Sequence, residues 1–286
     1  MKPPPFAYAR ARTLAEVFDL LDAHGDEAVL LAGGQSLMAA LNMRLSSPQL
    51  LIDINRLADL DGIVVADGQV RIGALARHTA VERSPVVATH LPLVARAMPY
   101  VAHPAIRNRG TFGGSLAFAD PAAELPACAV ALGGQLELCS RTGSRTVAAA
   151  AFYHGLYETA RADDEVLVAA RFPLPAPNTR ARFGELARRH GDYAIVGLAA
   201  QARVDDGVFA DLRLVFFGVG DRPVPASAAA AALAGRPGEP TDVAHARAAL
   251  DADLDPPADL NGGPATKRHL ARVLLGRVIA DMAAPR

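Results

Sequence analysis

The chain has 286 residues, 51% of them apolar and 21% charged, with a net charge of −1. That length and composition fit one large or two average globular domains and exclude a disordered or fibrous protein. Nothing shows the basic stripe of a nucleic-acid binder, and no run of 18 or more apolar residues is present to span a membrane.

Thr13 and Glu16 form a capping-box pattern ahead of Leu14, Val17, Phe18 and Leu21 at helical spacing, and Gly25 stands where that helix needs its C-cap. The apolar run 28–32 predicts a buried strand, broken by Gly33-Gly34-Gln35-Ser36. Residues 37–44 predict a short helix ending before Pro48, and residues 50–54 a second strand, giving a β–turn–α–β unit. Residues 62–75 predict a hairpin around Asp67-Gly68. Residues 91–98 predict a helix, and residues 104–121 a loop holding Pro104, Gly110, Gly113, Gly114 and Pro121. Residues 122–132 predict a helix carrying Glu124 and closed by Gly133-Gly134, and residues 165–172 a strand.

Pro173, Pro175 and Pro177 mark a linker. Beyond it, residues 180–190, 194–204 and 209–219 predict three consecutive strands, the last two joined at Asp205-Asp206-Gly207. Helices follow near 227–234, 242–250 and 266–282. Strands followed by helices make an α+β layout. The expected division is therefore residues 1–175, with subdomains of about 1–56 and 57–175, and then residues 176–286.

Two Gly-Gly loops carry the chemistry. Ala32-Gly33-Gly34-Gln35-Ser36-Leu37 follows a strand and opens a helix. Glycines let a ligand approach the backbone, and free N–H groups at a helix start favour an anion such as phosphate. The loop is neither a Walker A loop nor a G-x-G-x-x-G fingerprint, and a purely structural turn remains open. The second loop, Thr111-Phe112-Gly113-Gly114-Ser115, follows Ile106-Arg107-Asn108-Arg109-Gly110 and precedes Asp120-Pro121-Ala122-Ala123-Glu124. Two such loops in one domain suit a ligand with two phosphates, and a dinucleotide is the natural candidate. Asp120 and Glu124 can accept hydrogen bonds from sugar-like hydroxyls, although Asp120 also fits a helix cap.

Together these runs resemble the FAD-binding medium subunit of the molybdenum hydroxylases, the group of carbon monoxide, nicotine-type and xanthine dehydrogenases. The resemblance covers the whole chain, including Glu165 to Pro173, Gly191-Asp192-Tyr193-Ala194 and the helical C-terminus. It implies an FAD-binding domain of the vanillyl-alcohol oxidase and p-cresol methylhydroxylase type, made of two α/β subdomains. A C-terminal α+β domain with a three-stranded sheet and helices would follow. It implies cofactor contacts from Ala32, Gly33, Gly34, Gln35, Ser36 and Leu37, and from Thr111, Phe112, Gly113, Gly114 and Ser115. Glu124 falls where the family has an acidic residue near the ribityl chain, with Asp120 beside it; Val101 and Leu167 fall at apolar flavin contacts, and Tyr193 at or near the isoalloxazine, where it also fits a core role. The resemblance further implies a large partner subunit with a molybdenum–molybdopterin cytosine dinucleotide cofactor and a small one with two [2Fe-2S] clusters, in a dimer of heterotrimers. No catalytic acid or base and no metal ligand are then expected on this chain. Glu185 stands close to where several relatives have a lysine, and the four-cysteine insert of the hydroxybenzoyl-CoA reductase branch is missing.

Cys128 and Cys139 are too few for a zinc site, a cysteine-ligated cluster or a disulfide framework. With no apolar signal core in Met1-Lys2-Pro3-Pro4-Pro5-Phe6, the expected location is the cytoplasm. His103 and His190 have no partner at metal spacing, Cys128 reads as core, and Arg107 and Arg109 suit either a phosphate or partner contact or a salt bridge. A stand-alone flavin oxidase or reductase on the same fold, and a binding domain whose loops are only turns, are the alternatives.

Overall fold

A computed structural model of the chain describes residues 2–284. The chain begins with a parallel sheet in which Leu50–Asp53 lies between Ala7–Arg10 and Ala28–Leu31. The helix Leu14–His24 buries Val17, Phe18 and Leu21 against Leu50, Ile52 and Ile54. Thr13 Oγ1 accepts from Glu16 N at 3.1 Å, while the Glu16 carboxylate accepts from Arg12 N, one residue beyond a capping box. Gly25 ends this helix at φ 55.

The second sheet is antiparallel, in the order Ile63–Ala66, Gln69–Gly73, Val166–Pro173, Gln135–Ser140, Gly143–Ala148. Asp67 and Gly68 both take positive φ, as a type I′ hairpin turn demands. Val70, Ile72, Leu136, Leu138 and Phe172 from this sheet share one core with the helices Pro92–Ala97, Phe112–Phe118 and Glu124–Ala131.

After residues 174–178 come Thr179–Leu186, Val196–Asp205 and Val208–Phe217, and then a two-residue edge, Val224–Pro225, that adds a fourth strand to the expected three. This sheet is buried on both faces. Leu198, Ala200, Leu214 and Phe216 face the core formed with the helices Ser227–Leu233, Pro240–Asp253 and Pro264–Ala283. The alternate residues Ala199, Val215 and Phe217 join the core around the helix Glu124–Ala131. Side chains alternate faces along a strand, so burial on both sides reads as an unbroken apolar run.

The stretch 104–121 is not a plain loop. Pro104 starts the short helix Pro104–Arg107, and Thr111 caps Phe112–Phe118 by accepting from Gly114 N at 3.2 Å. Its glycines, poor helix formers, hid the second helix from the sequence pattern. The first strand of the last sheet stops at Leu186, four residues short of the expectation that ended at 190, and residues 187–195 form a connection. No helix among the described residues is long and apolar enough to cross a membrane.

Candidate functional site

Both Gly-Gly loops line one cleft of about 580 Å3. Ala32 to Leu37, Val101, Thr111, Gly113, Gly114, Ser115, Asp120, Glu124, Leu167 and Tyr193 all face it. Phe112 does not: its ring is buried in the core, edge-on to Phe172 with centroids 6.0 Å apart. Side chains step about 100° around a helix axis per residue, so Phe112 points into the core while its neighbours border the cleft.

The loops are not equivalent. Gly34 adopts φ 72, and a Cβ on Gly33 would overlap the Arg109 carbonyl, so both positions need glycine. Among the described residues, no hydrogen bond to another part of the chain occupies the amides of residues 34–37. They are free to meet an anion. In the second loop the amides are spent internally. Phe112 N donates to Ala76 O, Gly113 N to Ala74 O, Gly114 N to Thr111 Oγ1 and Ser115 N to Thr111 O. This loop offers the Ser115 hydroxyl and a flat backbone, with Gly113 set against Ala74 where a Cβ has no room. The helices that follow the loops have only six and seven residues, so the unpaired amides of the first loop, rather than a long macrodipole, carry the attraction for phosphate.

Carboxyls collect along the cleft. Asp120 Oδ1 accepts from Ala122 N at 2.9 Å, so Asp120 caps the following turn while still facing the cleft. Burial raises its pKa despite that bond. Burial, and then the neighbouring Asp120 carboxylate, lift Glu124 to about 7. Burial and Glu124 lift Glu185 to about 8, and Glu185 Oε2 is enclosed with no hydrogen-bond partner. Arg161 also lines the cleft, held through its Nη1 by the carbonyls of Ala162 and Glu165, both at 2.8 Å.

Three residues behind the loops had no sequence signal beyond being polar. Asn55 Nδ2 donates to Ala32 O at 2.8 Å, and Arg77 Nη2 donates to Asn55 Oδ1 at 2.7 Å. His78 Nε2 lies 2.9 Å from Thr111 O, and burial holds its pKa down at about 4. Arg107 resolves as a buried structural ion pair. Its Nε donates to Glu82 at 2.9 Å and its Nη1 to the Val101 and Ala102 carbonyls, both at 3.1 Å, which fixes the Val101 wall of the cleft. His190 stacks on Tyr100 with centroids 5.5 Å apart, and Cys128 is buried in the core with its thiol pKa pushed up. Among the described residues no group of three or more His, Cys, Asp or Glu is arranged to hold a metal ion.

Comparison with known proteins decides the family. Residues 4–175 match the family described as FAD binding domain in molybdopterin dehydrogenase, and residues 181–282 match the CO dehydrogenase flavoprotein C-terminal domain. The chain belongs to this family. It is 36% identical to the 6-hydroxypseudooxynicotine dehydrogenase complex subunit alpha of Paenarthrobacter nicotinovorans, over 98% of this chain and 95% of that one. A carbon monoxide dehydrogenase structure from Hydrogenophaga pseudoflava, lacking the Mo-pyranopterin moiety of its cofactor, superposes with a TM-score of 0.95 at 36% identity, covering 99% of this chain and 100% of that one. Quinoline 2-oxidoreductase from Pseudomonas putida 86 gives a TM-score of 0.93 at 36% identity, covering 99% and 98%. The α+β fold of an FAD-binding domain and a C-terminal domain is thereby shown, and the chain is an oxidoreductase subunit whose cofactor is FAD. The cleft fits that cofactor on its own terms: it joins free amides, glycines where a Cβ would collide, and an apolar wall of Val101 and Leu167.

Proposed function

We propose that this chain is the electron-transfer flavoprotein of a three-chain molybdenum hydroxylase. It receives electrons from two [2Fe-2S] clusters on a small subunit and passes them to an external acceptor. Substrate is oxidised at a molybdenum–molybdopterin cytosine dinucleotide on a large subunit, and two such heterotrimers pair in the cytoplasm. Bound FAD supplies the two-electron storage.

The chain's own work is binding and tuning. The amides of residues 34–37 and the Ser36 and Ser115 hydroxyls hold the diphosphate, with Ala32, Gly33 and Thr111 to Gly114 giving backbone close approach. Asp120 and Glu124 accept hydroxyl hydrogens along the ribityl chain. Val101, Leu167 and Tyr193 contact the aromatic ends. Glu185 offers no cation to favour negative charge on the reduced flavin, and its own carboxyl, lifted to about 8, is largely uncharged at neutral pH.

The observation that carries this reading is that both Gly-Gly loops converge on one cleft in a chain belonging to the medium-subunit family. With two cysteines, this chain has too few thiolates for four-cysteine clusters, which supports a reading in which the clusters are held by a partner. Purification of the tagged chain from its own host tests it. Released FAD, molybdenum, iron and two co-purifying chains are expected. FAD with neither partners nor metals would instead support the stand-alone flavoenzyme, for which Glu124, lifted to about 7, is the acid–base group to test.

A further inference from the structure

The two loops belong to different sheets. The first follows Ala28–Leu31 of the parallel sheet, and Asn55 follows Leu50–Asp53 of that same sheet. The second loop is zipped to residues 74–78, which extend the strand Gln69–Gly73 of the antiparallel sheet: His78 N donates to Gly110 O, Phe112 N to Ala76 O and Gly113 N to Ala74 O. The cleft lies between these two bodies, so its width depends on what joins them.

We propose that Asn55 and Arg77 form a brace that sets the spacing of the two loops and thereby the affinity for FAD. The inference rests on the FAD reading above. Arg77 Nη1 donates to Arg109 O, two residues before the second loop, and its Nη2 to Asn55 Oδ1 at 2.7 Å. Asn55 Nδ2 donates to Ala32 O of the first loop at 2.8 Å and to Asp53 Oδ1 at 2.6 Å. Asp53 Oδ1 also accepts from Asn55 N at 2.9 Å, which fixes the amide's direction. One carboxamide thus accepts from one body and donates to the other, a pairing that neither a carboxylate nor an aliphatic side chain reproduces. The brace spans a contact with no slack, because Gly33 already touches the Arg109–Gly110 backbone. Neither Asn55 nor Arg77 lines the cleft. Both are positioning residues, acting on FAD only through the carbonyls of Ala32 and Arg109.

The test is FAD titration of the full chain, freed of flavin, for the parent, Asn55→Asp, Arg77→Met and the double variant, with the melting temperature of each flavin-free form. Arg77 is only half-buried, so Arg77→Met is the variant expected to fold unchanged. The brace predicts about a tenfold weaker FAD affinity for each single variant. The double variant should be no weaker than the worse single one, since either change breaks the same link. Unchanged affinity in Arg77→Met overturns the brace. So do losses that add in the double variant and follow the melting temperature. A parent chain that takes up no FAD would overturn the cofactor reading itself, and the brace with it.

Discussion

The backbone of Gly33 packs so close to the carbonyl of Arg109 that a Cβ would overlap it, so the first loop abuts the segment leading into the second where both border the cleft. Gly33→Ala forces them apart. Overpacking of this kind costs about 1–3 kcal/mol. The expected result is a loss of bound FAD larger than the loss of stability, read as the flavin-to-protein ratio against a urea melt. Full FAD occupancy in Gly33→Ala would show that the contact is slack.

Two buried groups make stability depend on pH in opposite directions. Glu124 is lifted to about 7 in the fold, above its unfolded value. Its contribution is whole below about pH 4.5 and is lost as pH rises through 7. His78 is held down at about 4, below its unfolded value. Its contribution is whole above about pH 6.5 and is lost as pH falls through 4. Each swing amounts to about 3 kcal/mol. In the flavin-free chain, Glu124→Gln should gain on the parent steadily from pH 4.5 to 7. His78→Gln, which keeps a donor near the Thr111 carbonyl, should gain on the parent from pH 6.5 down to 4. Differences that stay flat with pH would show that neither group titrates as its surroundings require.

Tyr193 is 67% exposed at the mouth of the cleft. Little packing is lost when it is truncated. Tyr193→Ala should therefore melt with the parent in the flavin-free form, while holding FAD more weakly and with brighter flavin fluorescence. A large drop in melting temperature with unchanged fluorescence would make it a structural side chain.

Lys267, one of only two lysines, is 2% exposed. Its Nζ donates to Asp259 at 2.6 Å and to the Gly218 carbonyl at 3.0 Å, tying the last helix to the end of the sheet. Gly218 N in turn donates to Pro121 O at 2.8 Å, beside the cleft. Lys267→Met leaves that carbonyl and carboxylate without their donor, at a cost of about 1–3 kcal/mol. Calorimetry of the purified chain reads this as a lowered melting temperature. An unchanged melt would mean that water replaces the ammonium at no cost.

Elements with a local cause were legible in the sequence. The Thr13 cap, the Asp67-Gly68 turn and the strand–Gly-Gly–helix unit each follow from a few adjacent residues. The strand Ala7–Arg10 was not legible, because its pairing partner is Leu50–Asp53, far along the chain. The hairpin of Gln135–Ser140 and Gly143–Ala148 was missed, its outer strand being mostly exposed and lacking an apolar face. In the site, residue types at the two loops pointed to an anion, yet only the hydrogen bonds show that the first loop has free amides and the second does not. Asn55 and Arg77 act through carbonyls of other segments, and nothing in their own neighbourhood announces that.

We propose that FAD on this chain is reduced by clusters on a partner chain. The most direct measurement is the visible spectrum of the complex purified from its own host, followed during anaerobic reduction, with its chains and metals counted. The expected result is FAD on this chain, iron and molybdenum on two others, and bleaching of flavin and cluster bands together. A chain that carries FAD alone, with no partners and no metals, and that is reduced directly by a small molecule would contradict it.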